Sequence, residues 1–474
     1  MSEVMDRAAI YVDGAWVDST GTGRIEVVDP ATEEAIAVVA AGTADDVDRA
    51  AAAARSAFPY WSARSGAERG RYLWAAHDVL LSRRREFAEL VSREMGMPVD
   101  AADEIQIGMP LAHLAAFAEL AQTYPFDEGT VDAMSIVKEP IGVVGAITPW
   151  NYPLHQVVLK IGAALAAGCT VVIKPSEVAP LAVCAFVEIL HEVGVPPGVV
   201  NLVSGLGPVV GEAISGHPEI DMISFTGSTT AGKRVAVTAA GTVKKVALEL
   251  GGKSAFVILD DADLERAVPF GVARCLRNSG QTCSALTRML VPEAMIEAAA
   301  RIAVAQARSH PTGDPADPDT VLGPLVSAAQ RDSVLRHIDA GLEDGATLAL
   351  DGRGVVHGTG YFVGATVFSD VTADMTIARE EIFGPVLVIM GYRDEEEAVR
   401  LANDTDYGLA AAVWSGDPLR AEAVARRLRA GQVFVNGAVP SARAPFGGYK
   451  QSGIGREGGV YGLEEFLEIK AILR

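Results

Sequence analysis

Between residues 141 and 251 the chain alternates five apolar runs with four stretches of helical periodicity. The runs are 141–148, 170–174, 199–204, 222–226 and 244–250, separated by 154–167, 181–193, 208–215 and 230–239. Strands joined by helices must run parallel, because a crossover returns the chain to the edge at which the previous strand began. The pattern predicts an α/β fold: a twisted, Rossmann-type parallel sheet with helices on both faces. Right-handed crossovers then bring ligand chemistry to the carboxyl ends of the strands. The unusual residues stand at those ends: Pro149-Trp150-Asn151-Tyr152-Pro153, Lys174-Pro175-Ser176-Glu177, Gly205-Leu206-Gly207, Gly227-Ser228 and Glu249.

On either side the patterning changes. Short apolar runs between residues 10 and 39, broken by Asp13-Gly14, Gly21-Thr22-Gly23 and Asp29-Pro30, read as hairpins. Helices are predicted over 43–58, 66–94 and 100–122, with Arg83-Arg84-Arg85 on a solvated helix face. The segment 127–139 reads as an excursion that leaves the body and returns. A second αβ block spans 254–439, with strands at 255–259, 289–291 and 386–391, helices at 264–277, 294–308, 328–343, 395–403 and 419–429, and a loop over 352–360. The last apolar piece, 466–472, is suited to pairing with another strand.

Composition narrows the class. At 474 residues and 49% hydrophobic content the chain supports two or three globular domains. A net charge of -21 disfavours phosphate backbones and anionic membranes, which require clustered Lys and Arg. The four cysteines, Cys169, Cys184, Cys275 and Cys283, form no C-x-x-C pair or zinc-like spacing, so no metal site is expected and a reducing compartment fits. Residues 1–9 lack an apolar signal core, and no stretch is apolar for about 18 residues. The expected location is cytoplasmic.

Cys283 carries the chemistry. Leu264, Ala267, Val268, Val272 and Leu276 form a helical stripe, interrupted by Pro269, and Asn278-Ser279-Gly280 supplies cap and turn residues before the thiol. A loop cysteine beside Gln281, Thr282 and Ser284 is either a nucleophile whose polar neighbours favour a thiolate or a small buried hydrophobe. Glu249 interrupts an apolar run, as a base or as a strand-edge acid facing solvent. Gly227-Ser228 opens a helix, as a phosphate site or an ordinary N-cap. Asn151 alone reads equally as a turn residue. No G-x-G-x-x-G follows the first strand of the sheet.

Seven motifs in order extend these observations: Pro149-Trp150-Asn151-Tyr152-Pro153, Lys174-Pro175-Ser176-Glu177, Phe225-Thr226-Gly227-Ser228-Thr229, Leu248-Glu249-Leu250-Gly251-Gly252-Lys253-Ser254, Gly280-Gln281-Thr282-Cys283, Glu380-Glu381-Ile382-Phe383-Gly384-Pro385 and Pro445-Phe446-Gly447-Gly448-Tyr449-Lys450. Together they resemble the aldehyde dehydrogenase superfamily, in its non-acylating NAD(P)-dependent branch, across essentially the whole chain. The resemblance implies that Cys283 attacks an aldehyde, Asn151 and the Cys283 N–H hold the oxyanion, and Glu249 is the general base. It also implies that Lys174 and Glu177 contact the adenosine ribose, Trp150, Gly227 and Ser228 serve the pyrophosphate, Glu381 meets the nicotinamide ribose, and Phe383 packs beside the nicotinamide. Glu177 repels a 2′-phosphate, favouring NAD, whereas Lys174 is able to accept NADP.

The implied layout is an NAD-binding domain (1–121 and 141–250), a catalytic domain (251–442) and an oligomerisation arm with tail (122–140 and 443–474), giving a homodimer or homotetramer. Lys160 reads as a helix-face lysine, Lys253 as closer to the chemistry, and Glu457 as either a proton relay to Glu249 or a surface carboxylate. Tyr152, His155, Phe446 and residues 438–444 are expected along the substrate tunnel. With no recognised carboxylate-binding cluster in the sequence, a hydrophobic aliphatic or aromatic aldehyde is expected. The alternatives are a coenzyme A-acylating semialdehyde dehydrogenase, whose relatives lack this Glu, and a catalytically silent structural protein on the same scaffold.

Overall fold

The computed structural model describes residues 4–132, 134–355 and 358–473. Its largest sheet has eight strands, and the five runs anticipated above form a parallel core in the order Lys245–Glu249, Met222–Thr226, Val143–Ile147, Thr170–Lys174, Val200–Leu202. The chain starts in the middle, winds to one edge and then to the other, which leaves a crevice where the winding reverses. Three of these strands are buried along their whole length, hence unbroken apolar runs instead of alternation. Antiparallel strands close both edges: Ala9–Val12 with Ala15–Asp18 on one side, Gly453–Ile454 on the other.

Register aligns the functional ends. Ile147 lies opposite Lys174 on one side and Phe225 on the other, and Thr226 lies opposite Glu249. Residues 149–151, 174–177, 227–228 and 249 therefore leave the sheet side by side.

A second, seven-stranded sheet runs Thr347–Leu350, Thr366–Ser369, Val386–Tyr392, Arg288–Pro292, Ala255–Ile258, Ala410–Trp414, Gln432–Val435. Four of these strands, at 347–350, 366–369, 410–414 and 432–435, are absent from the sequence reading. Ala410-Ala411-Ala412 has little intrinsic strand preference, and complete burial between two neighbours makes it one.

The helix expected over 66–94 is two helices, Gly66–Ser82 and Arg84–Met95, meeting at Arg83. The arginine triplet is not simply solvated: Arg83 pairs with Glu86, Arg84 with Asp103, and Arg85 with Glu89 and Asp100. The span 100–122 contains a π-helical turn, Ala102–Ile107, before the helix Gly108–Thr123. The helix expected at 419–429 is Pro418–Ala425.

The excursion is a hairpin, Asp127–Val131 with Met134–Pro140, and Leu467–Ile472 adds to it antiparallel, pairing Leu467 with Pro140 and Ile472 with Ser135. Residue 133 of the hairpin and residues 356–357 of the 352–360 loop lie outside the described residues, as do 1–3 and 474. Cys169, Cys184 and Cys275 are buried and unbridged. Among the described residues no helix is long and apolar enough to cross a membrane.

Candidate active site

The helix Leu264–Leu276 follows the strand Ala255–Ile258 and ends where the sequence predicts. Asn278 and Ser279 then take left-handed conformations (φ 54° and 53°), and Gly280 follows at φ 76°. Three such residues in succession reverse the chain, and the side chains of the turn hold it. Ser279 Oγ donates to Gly323 O at 2.8 Å, and Gln281 Oε1 accepts from Val326 N–H at 2.9 Å. A side chain at Gly280 would lie 1.9 Å from Gly384 O, so only glycine fits.

The turn is joined to the first parallel strand's exit. Asn151 Nδ2 donates to Gln281 O at 3.1 Å. Asn278 Nδ2 donates to Asn151 O at 3.1 Å, and Gln106 Nε2 donates to the same carbonyl at 2.9 Å from its π-helical turn. Tyr152 OH bonds Thr282 Oγ1 at 2.8 Å. Asn151 is thus buried and fixed, with one N–H anchored and the second without a partner among the described residues. Gln106 has no signal in the sequence, and Asn278 reads there only as a cap and turn residue, since a buried amide aimed at a backbone carbonyl leaves no local pattern.

Two cavities meet at the thiol. One, of about 370 Å³, is lined by Tyr152, His155, Phe446, Pro440, Ser441, Ala442 and Ala444 of the expected tunnel, together with Met109, Leu159 and Phe434. The other, of about 280 Å³, is lined by Trp150, Asn151, Gly227, Ser228, Glu381 and Phe383. Cys283 and Gln156 alone line both.

The thiol does not rest as a thiolate. Burial and the charges of Glu249 and Glu381 push it well above the ordinary thiol range, and the Ser284 N–H opposes them only weakly. Of the polar neighbours on which the thiolate expectation rested, Gln281 and Thr282 are spent on holding the loop.

Glu249 is buried, not a solvent-facing strand end, and both carboxyl oxygens are without hydrogen-bond partners among the described residues. Burial, reinforced by the Glu457 charge, raises it well above the usual carboxylate range. It lines neither large cavity; it faces a void of about 10 Å³, room for one water, shared with Phe446 and Glu457. Lys160, expected on a helix face, is wholly buried in the π-helical turn Val158–Gly162, where it pairs with Glu457 and donates to Thr226 Oγ1 at 2.7 Å. Glu457 is accordingly no surface carboxylate. Lys253 is buried without a hydrogen-bond partner among the described residues, and burial brings it down to about 7, yet it lines neither large cavity.

The smaller cavity has the chemistry a dinucleotide requires. Ser228 caps the helix Thr229–Ala239, whose N-terminus offers backbone N–H groups to an anion. Trp150 and Phe383 meet edge to face at 5.3 Å beside it. Glu381 accepts from Gly252 N–H at 2.9 Å, and a Cβ on Gly251 would lie 2.3 Å from its Oε2, so the bare backbone lets the carboxylate in. Lys174 and Glu177 stand one strand away, outside this cavity, paired with each other at 2.9 Å.

The sequence matches the model of the aldehyde dehydrogenase family over residues 16–472. It is 49% identical to a 3-succinoylsemialdehyde-pyridine dehydrogenase from a Pseudomonas species, over 99% of this chain and 98% of that protein. Among solved structures it is similar to a mutant of aldehyde dehydrogenase C from Pseudomonas syringae in complex with NAD+ and octanal (TM-score 0.97, 48% identity, 98% and 96% of the two chains). It is also similar to an NAD+ complex of an aldehyde dehydrogenase from Bacillus cereus (TM-score 0.95, 40% identity, 98% and 96%).

Proposed function

The chain belongs to the aldehyde dehydrogenase family, and on that premise we propose that it oxidises a hydrophobic aliphatic or aromatic aldehyde to the free carboxylic acid with NAD. The observation that carries this reading is the meeting of two cavities at Cys283, one with apolar walls for a substrate stem and one headed by a helix N-terminus. NAD, when bound, supplies the two-electron acceptor for hydride. Everything else falls to the protein's own groups. Cys283 Sγ, once deprotonated, bonds to the carbonyl carbon, and the oxyanion formed is met by the free N–H of Asn151 and the Cys283 backbone N–H. Loss of hydride leaves a thioester on Cys283. Glu249, deprotonated, takes a proton from water as it attacks that thioester; the C–S bond then breaks, the acid is released, and the sulfur stays on Cys283 as a thiolate ready for the next aldehyde.

NAD is preferred over NADP because Lys174 is already held by Glu177, whose carboxylate opposes a 2′-phosphate. The Pseudomonas relatives, named for a pyridine semialdehyde and crystallised with octanal, support aldehydes with sizeable apolar stems. We take residues 1–121 with 141–250 as the cofactor domain and 251–442 as the catalytic domain, in a reducing, cytoplasmic setting.

The product decides between hydrolysis and acyl transfer. NADH should form without coenzyme A, and in H2(18)O the acid should gain one heavy oxygen, read by mass spectrometry. A strict requirement for coenzyme A would establish the acylating alternative; no turnover on a broad aldehyde panel would favour the silent scaffold.

The three-stranded arm supports a homo-oligomer. Leu467–Ile472 is an edge strand with Ile469 70% and Ile472 41% exposed, and such an edge invites pairing with a second copy. Sedimentation velocity should return a dimer or tetramer mass; a monomer would overturn this assignment.

A further inference from the structure

We propose that Arg274 and Arg277 form an anion subsite in the substrate cavity, so that preferred substrates are aldehydes whose apolar stem ends in a carboxylate. This rests on the aldehyde-oxidising reading above and specifies its substrate class.

Both guanidiniums line the cavity that contains Cys283. Both are half-buried, and neither side chain makes a hydrogen bond or ion pair among the described residues. The other buried arginines are satisfied by the protein. Arg288 donates to Lys253 O, Leu401 O and Ala402 O, and Arg69 to Ala166 O and Arg64 O. Arg274 instead lies over the Phe434 ring at 4.6 Å, which fixes its plane and leaves its donors unused. The chain carries 61 acidic residues against 40 basic ones, yet among the described residues none forms an ion pair with either arginine. Glu104, the one carboxylate lining the cavity, is exposed and pairs with neither.

Two neighbouring cations in a partly closed cavity repel each other, and burial with the Arg277 charge brings Arg274 down to about 10. Arg274 lies in the last turn of its helix, where the dipole favours a cation. That accounts for the sign of the charge; it does not account for donors left open beside the nucleophile. A carboxylate matches the planar guanidinium with two parallel hydrogen bonds and relieves the repulsion. Sequence alone hid the pair, because three residues of spacing near a helix end look like solubilising charge.

The test compares straight-chain aldehydes ending in a carboxylate with methyl-ended aldehydes of equal length, at several lengths. In the wild type the carboxylate series should win in kcat/KM by about tenfold or more at one length, since a bidentate charge-assisted pair is strong. Arg277→Gln and Arg274→Gln should each collapse that ratio, and Arg277→Lys should restore part of it. A methyl-ended preference at every length, or a ratio untouched by both Gln variants, would overturn the subsite. A second readout needs no turnover: a dicarboxylate such as adipate should slow iodoacetamide labelling of Cys283 in the wild type and lose that effect in the Gln variants. Silence on every aldehyde with protection intact would sink the oxidising reading and leave the anion subsite standing; absence of protection would overturn the subsite whatever the turnover.

Discussion

Replacing Cys283 by Ala should lower aldehyde-dependent NADH formation by at least about four orders of magnitude, the scale on which loss of a covalent nucleophile acts. The other three cysteines are buried in core packing, and none lines either cavity, so none can substitute. Asn151→Ala provides the contrast. Removal of an oxyanion donor costs about 10² to 10³ in kcat, yet in that variant iodoacetamide should still label Cys283, because the thiol is intact and Asn278 and Gln106 bond to the backbone carbonyl at position 151, not to its side chain. Because burial and two nearby acids raise the thiol, labelling should accelerate with pH across the alkaline range. Turnover surviving in Cys283→Ala, or mass spectrometry of a trapped acyl group on another residue, would refute the nucleophile assignment.

The two halves of this site differed in how much of them the sequence disclosed, for physical reasons. The parallel core was legible because its strands are buried on both faces, so each became an apolar run bounded by turn residues. The same rule failed in the second sheet, where Ala410–Trp414 carries no local preference and is a strand only through its neighbours. Cys283 and Asn151 were named from motifs, but their coupling through Gln281 O is a contact 130 residues apart in the chain. Lys160 shows how direction is lost: it reads as a helix-face lysine, whereas every residue of 153–167 is buried and its ammonium pairs with Glu457. The same limit applies to electrostatics. Polar neighbours of Cys283 suggested a thiolate, and only three-dimensional burial beside Glu249 and Glu381 reverses that expectation.

Glu249→Gln should lower kcat by about 10² to 10⁴, the range for a lost general base, and should flatten the rise of kcat with pH. In the wild type burial and the Glu457 charge raise Glu249, so the fraction able to act as a base grows as the pH climbs. Activity should therefore increase towards alkaline pH, with contributions from this carboxyl and from the Cys283 thiol; in the Gln variant only the thiol's contribution survives. Stability supplies an independent reading of the same group. A carboxyl whose folded-state pKa lies above its unfolded value of about 4.3 binds its proton more tightly when folded. Its contribution is fully present below the unfolded value and is lost as pH rises towards the folded one. Gln cannot ionise, so Glu249→Gln should gain in Tm relative to the wild type as pH increases, while losing activity. Opposite movement of Tm and kcat separates a buried catalytic acid from a structural one. If the variant keeps wild-type kcat with an unchanged pH profile, Glu249 is not the base; if its relative Tm is flat with pH, the carboxyl is not held neutral in the folded chain.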